Sequence, residues 1–166
     1  MMVFTAPAVA QTAKIAVVDV QLLMNESVAA KNIQAQIDKK REAYQKDFTK
    51  AEQDLLAQEK DLMARGESLS EEDFVRKRDA FEDKVMEARA MVQGKQRALE
   101  SAVDEALSKM REEVSTIVSA ISEEKGYDLV LTTQNVISVR SDMDITDIVM
   151  KALDAKLQEV TLKVAQ

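Results

Sequence analysis

Apolar and polar positions along the chain follow two different rhythms. Lys14 to Val20 (KIAVVDV) is a short β-branched run bounded by polar residues, which predicts a strand. From Ser27 to Arg65 there is no Gly or Pro, and apolar side chains fall at Ile33, Ile37, Tyr44, Phe48, Ala51, Leu55 and Leu62. Those steps of three, four and seven mark one face of a helix. Several of the positions recur at eleven residues, which favours a nearly straight or slightly right-handed supercoil. Arg65-Gly66-Glu67-Ser68-Leu69-Ser70 breaks the rhythm, and Ser70 followed by Asp73 has the form of an N-cap with an acidic third residue. The segment predicts the turn of a helical hairpin.

The second helix is predicted from Glu71 to Lys125, with a stripe that runs through Phe81, Val85, Ala88, Val92, Leu99, Val103, Ala106, Met110, Val114, Ile117 and Ile121. Lys125-Gly126 supplies its stop, a cation in the last turn followed by a glycine. At 1.5 Å per residue the two helices would be roughly 55 to 60 Å and ~80 Å long. Tyr127 to Thr132 and Asn135 to Arg140 predict two further strands joined by a tight turn at Thr133-Gln134. Asp144-Ile145-Thr146-Asp147 opens a last helix with the stripe Ile145, Ile148, Val149, Ala152, Leu153, Leu157, Val160 and Val164. The expected class is α+β: a small β body with a long antiparallel helical-hairpin arm.

The body comprises residues 11–26 and 126–166, and the arm residues 27–125. A core that small, without disulfides or metal, is marginal alone, and its strand edges invite pairing between chains. An obligate homo-oligomer with a shared sheet follows as an expectation. Ile15, Val17, Leu129, Leu131, Ile137 and Val139 share strand faces and are assigned to body core and oligomer contacts. A two-helix arm cannot bury apolar residues on every side, so some remain for a partner. Met63, Phe74, Val75, Phe81, Met86 and Met91 are the candidates, since aromatic and thioether side chains repack against many sequences. The competing role for each is the seam between the arm helices. Gly94, in mid-helix, is a candidate hinge or a tolerated glycine.

Composition then narrows the chemistry. The 166 residues contain no His, Cys or Trp, three Gly and one Pro. The commonest general base, the thiol nucleophiles and nearly every zinc site are gone, so no enzyme activity, cofactor or metal is expected. Asp142, Asp144 and Asp147 lack the glycine turn and distal Glu of a calcium loop and fit helix capping better. Lys and Arg total 23 against 30 Asp and Glu, a net charge of −7 that argues against nucleic acid. The arm itself carries 18 basic and 22 acidic residues, interspersed. Glu42/Lys46, Asp61/Arg65, Glu72/Arg76, Asp73/Lys77 and Glu105/Lys109 have the favourable i, i+4 order of a solvated helix face. Arg76-Lys77-Arg78, near the hairpin tip, is the one basic triplet and a candidate contact for anionic lipid or an acidic segment. Ala8-Val9-Ala10 has the small-x-small form that precedes signal-peptidase cleavage, so residues 1–10 read as a residual signal peptide, with an ordinary disordered terminus as the alternative.

Lys14-Ile15-Ala16-Val17-Val18-Asp19 before a helix, and Gly126-Tyr127-Asp128-Leu129-Val130-Leu131 leading through Asn135-Val136 to Asp144-Ile145-Thr146, together resemble the Skp/OmpH family of periplasmic chaperones. The resemblance spans Gln11 to about Leu157, by motif at the ends and by pattern in the arm. It implies a homotrimer with a small β-barrel body built across chains and three helical arms around a cavity. It further implies an ATP-independent periplasmic holdase for unfolded outer-membrane proteins. Peripheral contact with the membrane surface or lipopolysaccharide is disfavoured here, because the net-acidic arm departs from the strongly basic arms of the best-known members. The alternative function is a structural coiled-coil scaffold that binds one specific envelope partner.

Overall fold

The computed structural model describes residues 12–165, and the signal-peptide reading of residues 1–10 lies outside them. Strand β1 (Ile15–Val18) buries Ala16, Val17 and Val18. It stops at Asp19 because the Asp19 carboxylate accepts from the Leu22 amide at 2.8 Å and caps helix α1 (Val20–Glu26). The β-branched run hides this short helix from a reading by pattern, since Val20 suits a strand as well. Ser27 then joins two helices. Its amide donates to the Leu23 carbonyl at 3.3 Å and its hydroxyl accepts from the Ala30 amide at 3.2 Å, so this buried serine closes α1 and opens α2 (Val28–Arg65). The Val28 amide, one of the unpaired donors of the first turn, is satisfied by the Asp154 carboxylate at 2.8 Å.

A single 3-10 turn (Gly66–Ser68) leads into α3 (Glu71–Lys125). At its far end Gly126 takes φ +67°, and the Tyr127 amide reaches back to the Ser122 carbonyl at 3.0 Å. This closure satisfies an orphan carbonyl, and the left-handed φ is why glycine stands there. The Lys14 ammonium donates to the Lys125 carbonyl at 2.5 Å and lies 4.8 Å from the centre of the Tyr127 ring, adding a cation to the same helix end. Strand β2 (Leu129–Thr132) runs parallel to β1, in a register from Ile15 opposite Leu129 to Val18 opposite Thr132. Parallel neighbours require a crossover, and here it consists of everything from α1 to α3. On the other edge of β1 the Ile145 amide donates to the Val17 carbonyl at 2.9 Å, and the Thr146 hydroxyl accepts from the Asp19 amide at 2.8 Å. Helix α4 (Thr146–Lys156) follows, burying Val149 and Leu153.

Two expectations are corrected. Asn135 to Arg140 is not a third strand: Thr133–Asn135 forms one 3-10 turn, and the extended backbone seen at Val136 and Arg140 has no ladder partner. A two-residue hairpin needs positive φ in its turn, and among the described residues only Gly126 has one. Thr133-Gln134 therefore cannot reverse the chain tightly. Ile137 is left fully exposed and Val139 half-buried. The last helix likewise ends at Lys156 and does not carry its stripe to Val160 and Val164. Leu157 leaves helical geometry at φ −125°, ψ 81°, and the β-branched residues that follow favour extended chain.

The protein is thus mostly helical, with a long helical hairpin and a two-stranded sheet. It divides into two compact units. One contains the described residues up to Lys31 together with Lys109–Glu159; its core includes Val17, Leu23, Met110, Val114, Ile145 and Leu153. The other contains Asn32–Ser108 and the tail from Val160.

Gly126, just past the end of α3, and Gly94, within it, should respond oppositely to the same substitution. Gly126→Ala forces a side chain into left-handed φ and should destabilise by about 1–2 kcal/mol. Gly94→Ala meets nothing within 4 Å and should stabilise by about 0.5–1 kcal/mol. Thermal unfolding followed by circular dichroism at fixed protein concentration should show the midpoint moving down for the first and up for the second.

Candidate functional site

Within Asn32–Ser108 the hairpin helices pair antiparallel: Asp47 meets Lys95, Gln58 meets Lys84 (2.7 Å) and Asp61 meets Lys77 (3.5 Å). Each bridge sets an α3 lysine against an oxygen of α2, so the charges fix register while the apolar stripes face each other. The seam is not equally closed along its length. Ile33, Ile37, Leu99, Ala102 and Ala106 are buried. From Tyr44 on α2 to the turn, and from the turn to Val92 on α3, every apolar side chain of the stripe keeps part of its surface exposed and none is fully buried.

Two open clefts lie along the seam, one at the border between its buried and partly exposed stretches and one nearer the turn. The larger, about 650 Å³, is lined by Ile37, Tyr44, Phe48, Val92, Leu99 and Val103, and also by polar residues that include Arg41, Gln96 and Glu100. The second, about 440 Å³, is lined by Phe48, Leu55, Leu56, Phe81, Val85 and Met91. Phe48 and Val92 line both, which makes the apolar path continuous. The Tyr44 and Phe48 rings lie 6.3 Å apart, and Lys95 places its ammonium 5.0 Å from the Tyr44 ring centre and 6.0 Å from that of Phe48, while pairing with Asp47. The wall is therefore aromatic and polarisable at Tyr44 and Phe48, and the Lys95 cation beside these rings is held by Asp47.

The structure separates the six candidate contact residues. Phe81 and Met91 share the second cleft. Met63 and Met86 are 73% and 65% exposed and line none of the larger clefts, so they offer free thioether surface. Val75 is exposed beside Glu71, Glu72 and Arg76. Phe74 lies half-buried against the turn: a side chain at Gly66 would meet its ring at 3.2 Å, so this ring packs on the hairpin's glycine. Tyr44, Phe48, Leu55 and Leu56 are cleft residues that pattern alone assigns to the seam or passes over. The available signal was two aromatic residues four apart on one stripe. Gly94 is exposed on an unbroken stretch of α3. Of the six strand positions, Val17 is core, Ile15, Leu131 and Val139 are half-buried, and Leu129 and Ile137 are exposed.

The basic triplet is engaged locally. Arg76 bonds Asp73, not Glu72; Lys77 pairs with Asp61 across the hairpin, not with Asp73; Arg78 pairs with Asp79 at 2.8 Å. At the other side of the turn the Ser70 hydroxyl accepts from the Asp73 amide (3.2 Å) and donates to its carboxylate (2.8 Å). That hydroxyl, and then the Arg76 guanidinium, hold the Asp73 carboxyl below its ordinary value of 3.8. Asp144 accepts from the Thr146 amide and hydroxyl at 2.8 and 2.6 Å, a structural use for the aspartate at the start of α4.

Two outcomes follow for the tip. Asp73 has a depressed pKa when folded, so its contribution is present above the unfolded carboxylate value and is lost as pH falls through the lower, folded one. An NMR pH titration should place its midpoint below 3.8, and Ser70→Ala should move that midpoint upward and fray the first turn of α3. Separately, Phe74→Ala should lower the thermal midpoint, whereas Met63→Ser with Met86→Ser should leave stability within about 0.5 kcal/mol per site, as exposed positions do.

A family model described as Outer membrane protein (OmpH-like) matches residues 14–153. Among solved structures, that of an OmpH-like outer membrane chaperone candidate from Caulobacter crescentus CB15 has a TM-score of 0.86 and 19% identity to this chain, covering 99% of this chain and 98% of that one. At that identity the likeness is one of fold. No curated protein matches the chain. Its strand and helix order, and a family match over most of its length, place this chain in the OmpH-like outer membrane protein family.

Proposed function

We propose that this protein is an ATP-independent holdase of the periplasm that keeps unfolded outer-membrane proteins from aggregating. The observation that carries this reading is the open apolar seam of the hairpin, two continuous clefts flanked by exposed Met63 and Met86. Membership of the OmpH-like family supports it, as does the fold shared with a chaperone candidate. Residues 27–125 serve as the client-holding arm, and residues 11–26 with 126–166 as the oligomerisation body. Clients are held by many weak contacts with Phe81, Met91, Met63, Met86 and Val75, while Phe74 supports the tip. With Arg76, Lys77 and Lys95 paired to nearby acids and acidic residues outnumbering basic ones on the arm, apolar contact dominates over electrostatic capture, and lipopolysaccharide is not a favoured ligand.

The working unit in this proposal is a homotrimer whose strands close a barrel across chains. Fully exposed Ile137 and half-exposed Leu129 support it, as does the unladdered extended chain beyond Thr133–Asn135, since such apolar strand surface is costly to leave in water. Gly94 is the point at which an arm would bend to fit a larger client.

Light scattering of an aggregation-prone outer-membrane protein diluted from urea tests the holdase reading. Stoichiometric protein should suppress the signal, and the Met63→Ser/Met86→Ser variant should suppress it less at unchanged thermal midpoint. Unchanged aggregation with the native protein overturns the reading, and capture of one stoichiometric envelope partner would then favour a scaffold. Ile137→Asp should shift the sedimentation-equilibrium mass from three protomers toward the 18.5 kDa monomer.

A further inference from the structure

The tail from Val160 belongs to the same compact unit as the hairpin. Val160 and Leu162 are each only 6% exposed, Val164 is half-buried, and Thr161, Lys163 and Ala165 are exposed. Burial at every second residue is the signature of an extended chain lying on an apolar surface. One side chain fastens it. The Gln36 amide donates to the Val160 carbonyl at 2.8 Å, and its oxygen accepts from the Leu162 amide at 3.0 Å. These are the two backbone bonds that a neighbouring strand would offer to residues i and i+2, supplied instead by one primary amide. The second Gln36 N–H is held by Asn32 at 2.6 Å, which orients the group.

This recognition uses no property peculiar to the tail. Gln36 contacts only peptide groups of the tail, and the burial of Val160 and Leu162 between exposed Thr161 and Lys163 fits an apolar side chain at alternate positions, as in capture of an extended peptide by a sheet edge. Glu159-Val160-Thr161-Leu162-Lys163-Val164 has the alternation that marks a strand of an outer-membrane barrel. Ile37, next to Gln36 on α2, lines the 650 Å³ cleft.

We propose that the Gln36 seat is a binding site for extended polypeptide with apolar residues at every second position, and that the chain's own tail occupies it until such a segment of an unfolded client displaces it. The proposal rests on the holdase reading for the identity of the client, and on the tail's contacts for the site itself. It makes the tail an internal competitor: a seat filled in about nine of ten molecules weakens apparent affinity about tenfold. Weak clients are then refused, and a client rich in alternating segments is accepted.

The test uses the full-length protein and a fluorescein-labelled peptide EVTLKVA, with EVLVTKA as a control of the same composition without the alternation. Val160→Asp/Leu162→Asp, which undocks the tail, should bind EVTLKVA about tenfold more tightly than the native chain, and adding Gln36→Ala should remove the gain. Equal affinity of native and undocked protein, or equal binding of both peptides, overturns the proposal. Hydrogen exchange on the native protein does not depend on any variant folding. The Leu162 amide should be protected alone and exchange faster at saturating EVTLKVA. Protection that persists while peptide is bound overturns the proposal as well. Because neither measurement involves aggregation, failure here leaves the holdase reading standing, and failure to suppress aggregation leaves the peptide seat to be judged by exchange at Leu162.

Discussion

Two antiparallel helices can hide apolar side chains only along the single strip where they touch, and the interaxial distance follows the side chains in that strip. Ala102 and Ala106 stand where the hairpin buries its seam, together with Ile33, while the buried Ile37 and Leu99 border the first cleft. Tyr44, Phe48 and Phe81 stand where it opens into clefts. Rings of that size need more room between two helices than alanine does, and the helices of that unit are α2 and α3 alone among its described residues. The open apolar surface is thus a consequence of hairpin geometry combined with residue size. No catalytic group or cofactor is needed to explain it.

That constraint also assigns the charges their work. A seam without a dense core needs its register fixed by other means, and Asp47–Lys95, Gln58–Lys84 and Asp61–Lys77 supply it. Each bridge is at least partly solvated and individually weak, yet each penalises a slipped pairing. A cation committed to register is less available to an anionic partner. The arm's surface is therefore suited to apolar adhesion, with polar side chains spaced to keep it soluble.

The other unit solves an opposite problem. Its small core is tied by specific polar bonds: Asp19 to Leu22, Ser27 to Ala30, Asp154 to Val28, and Thr146 between Asp19 and Asp144. Each satisfies a helix end or strand edge that a core of this size could not afford to leave unpaired. The edge of β2 and the exposed Ile137 are the exceptions, and they are the surfaces that the proposed trimer would cover.

The hairpin was legible from residues alone, because helix rhythm and the breakers Gly66 and Gly126 are local signals that need no partner. The family was legible too, from the two end motifs that flank it. What failed to show was every feature that depends on a distant residue or on competition between equally good local options. Asp19 could end a strand or cap a helix, and its bond to Leu22 decided for the cap. Asn135 to Arg140 had the composition of a strand but no turn able to bring it back beside β2. The cleft character of Tyr44 and Phe48 required the facing helix, and the docking of Val160 and Leu162 required Gln36, more than a hundred positions away. Periodicity records which face a side chain occupies; only the tertiary structure decides what lies opposite that face and how closely it approaches.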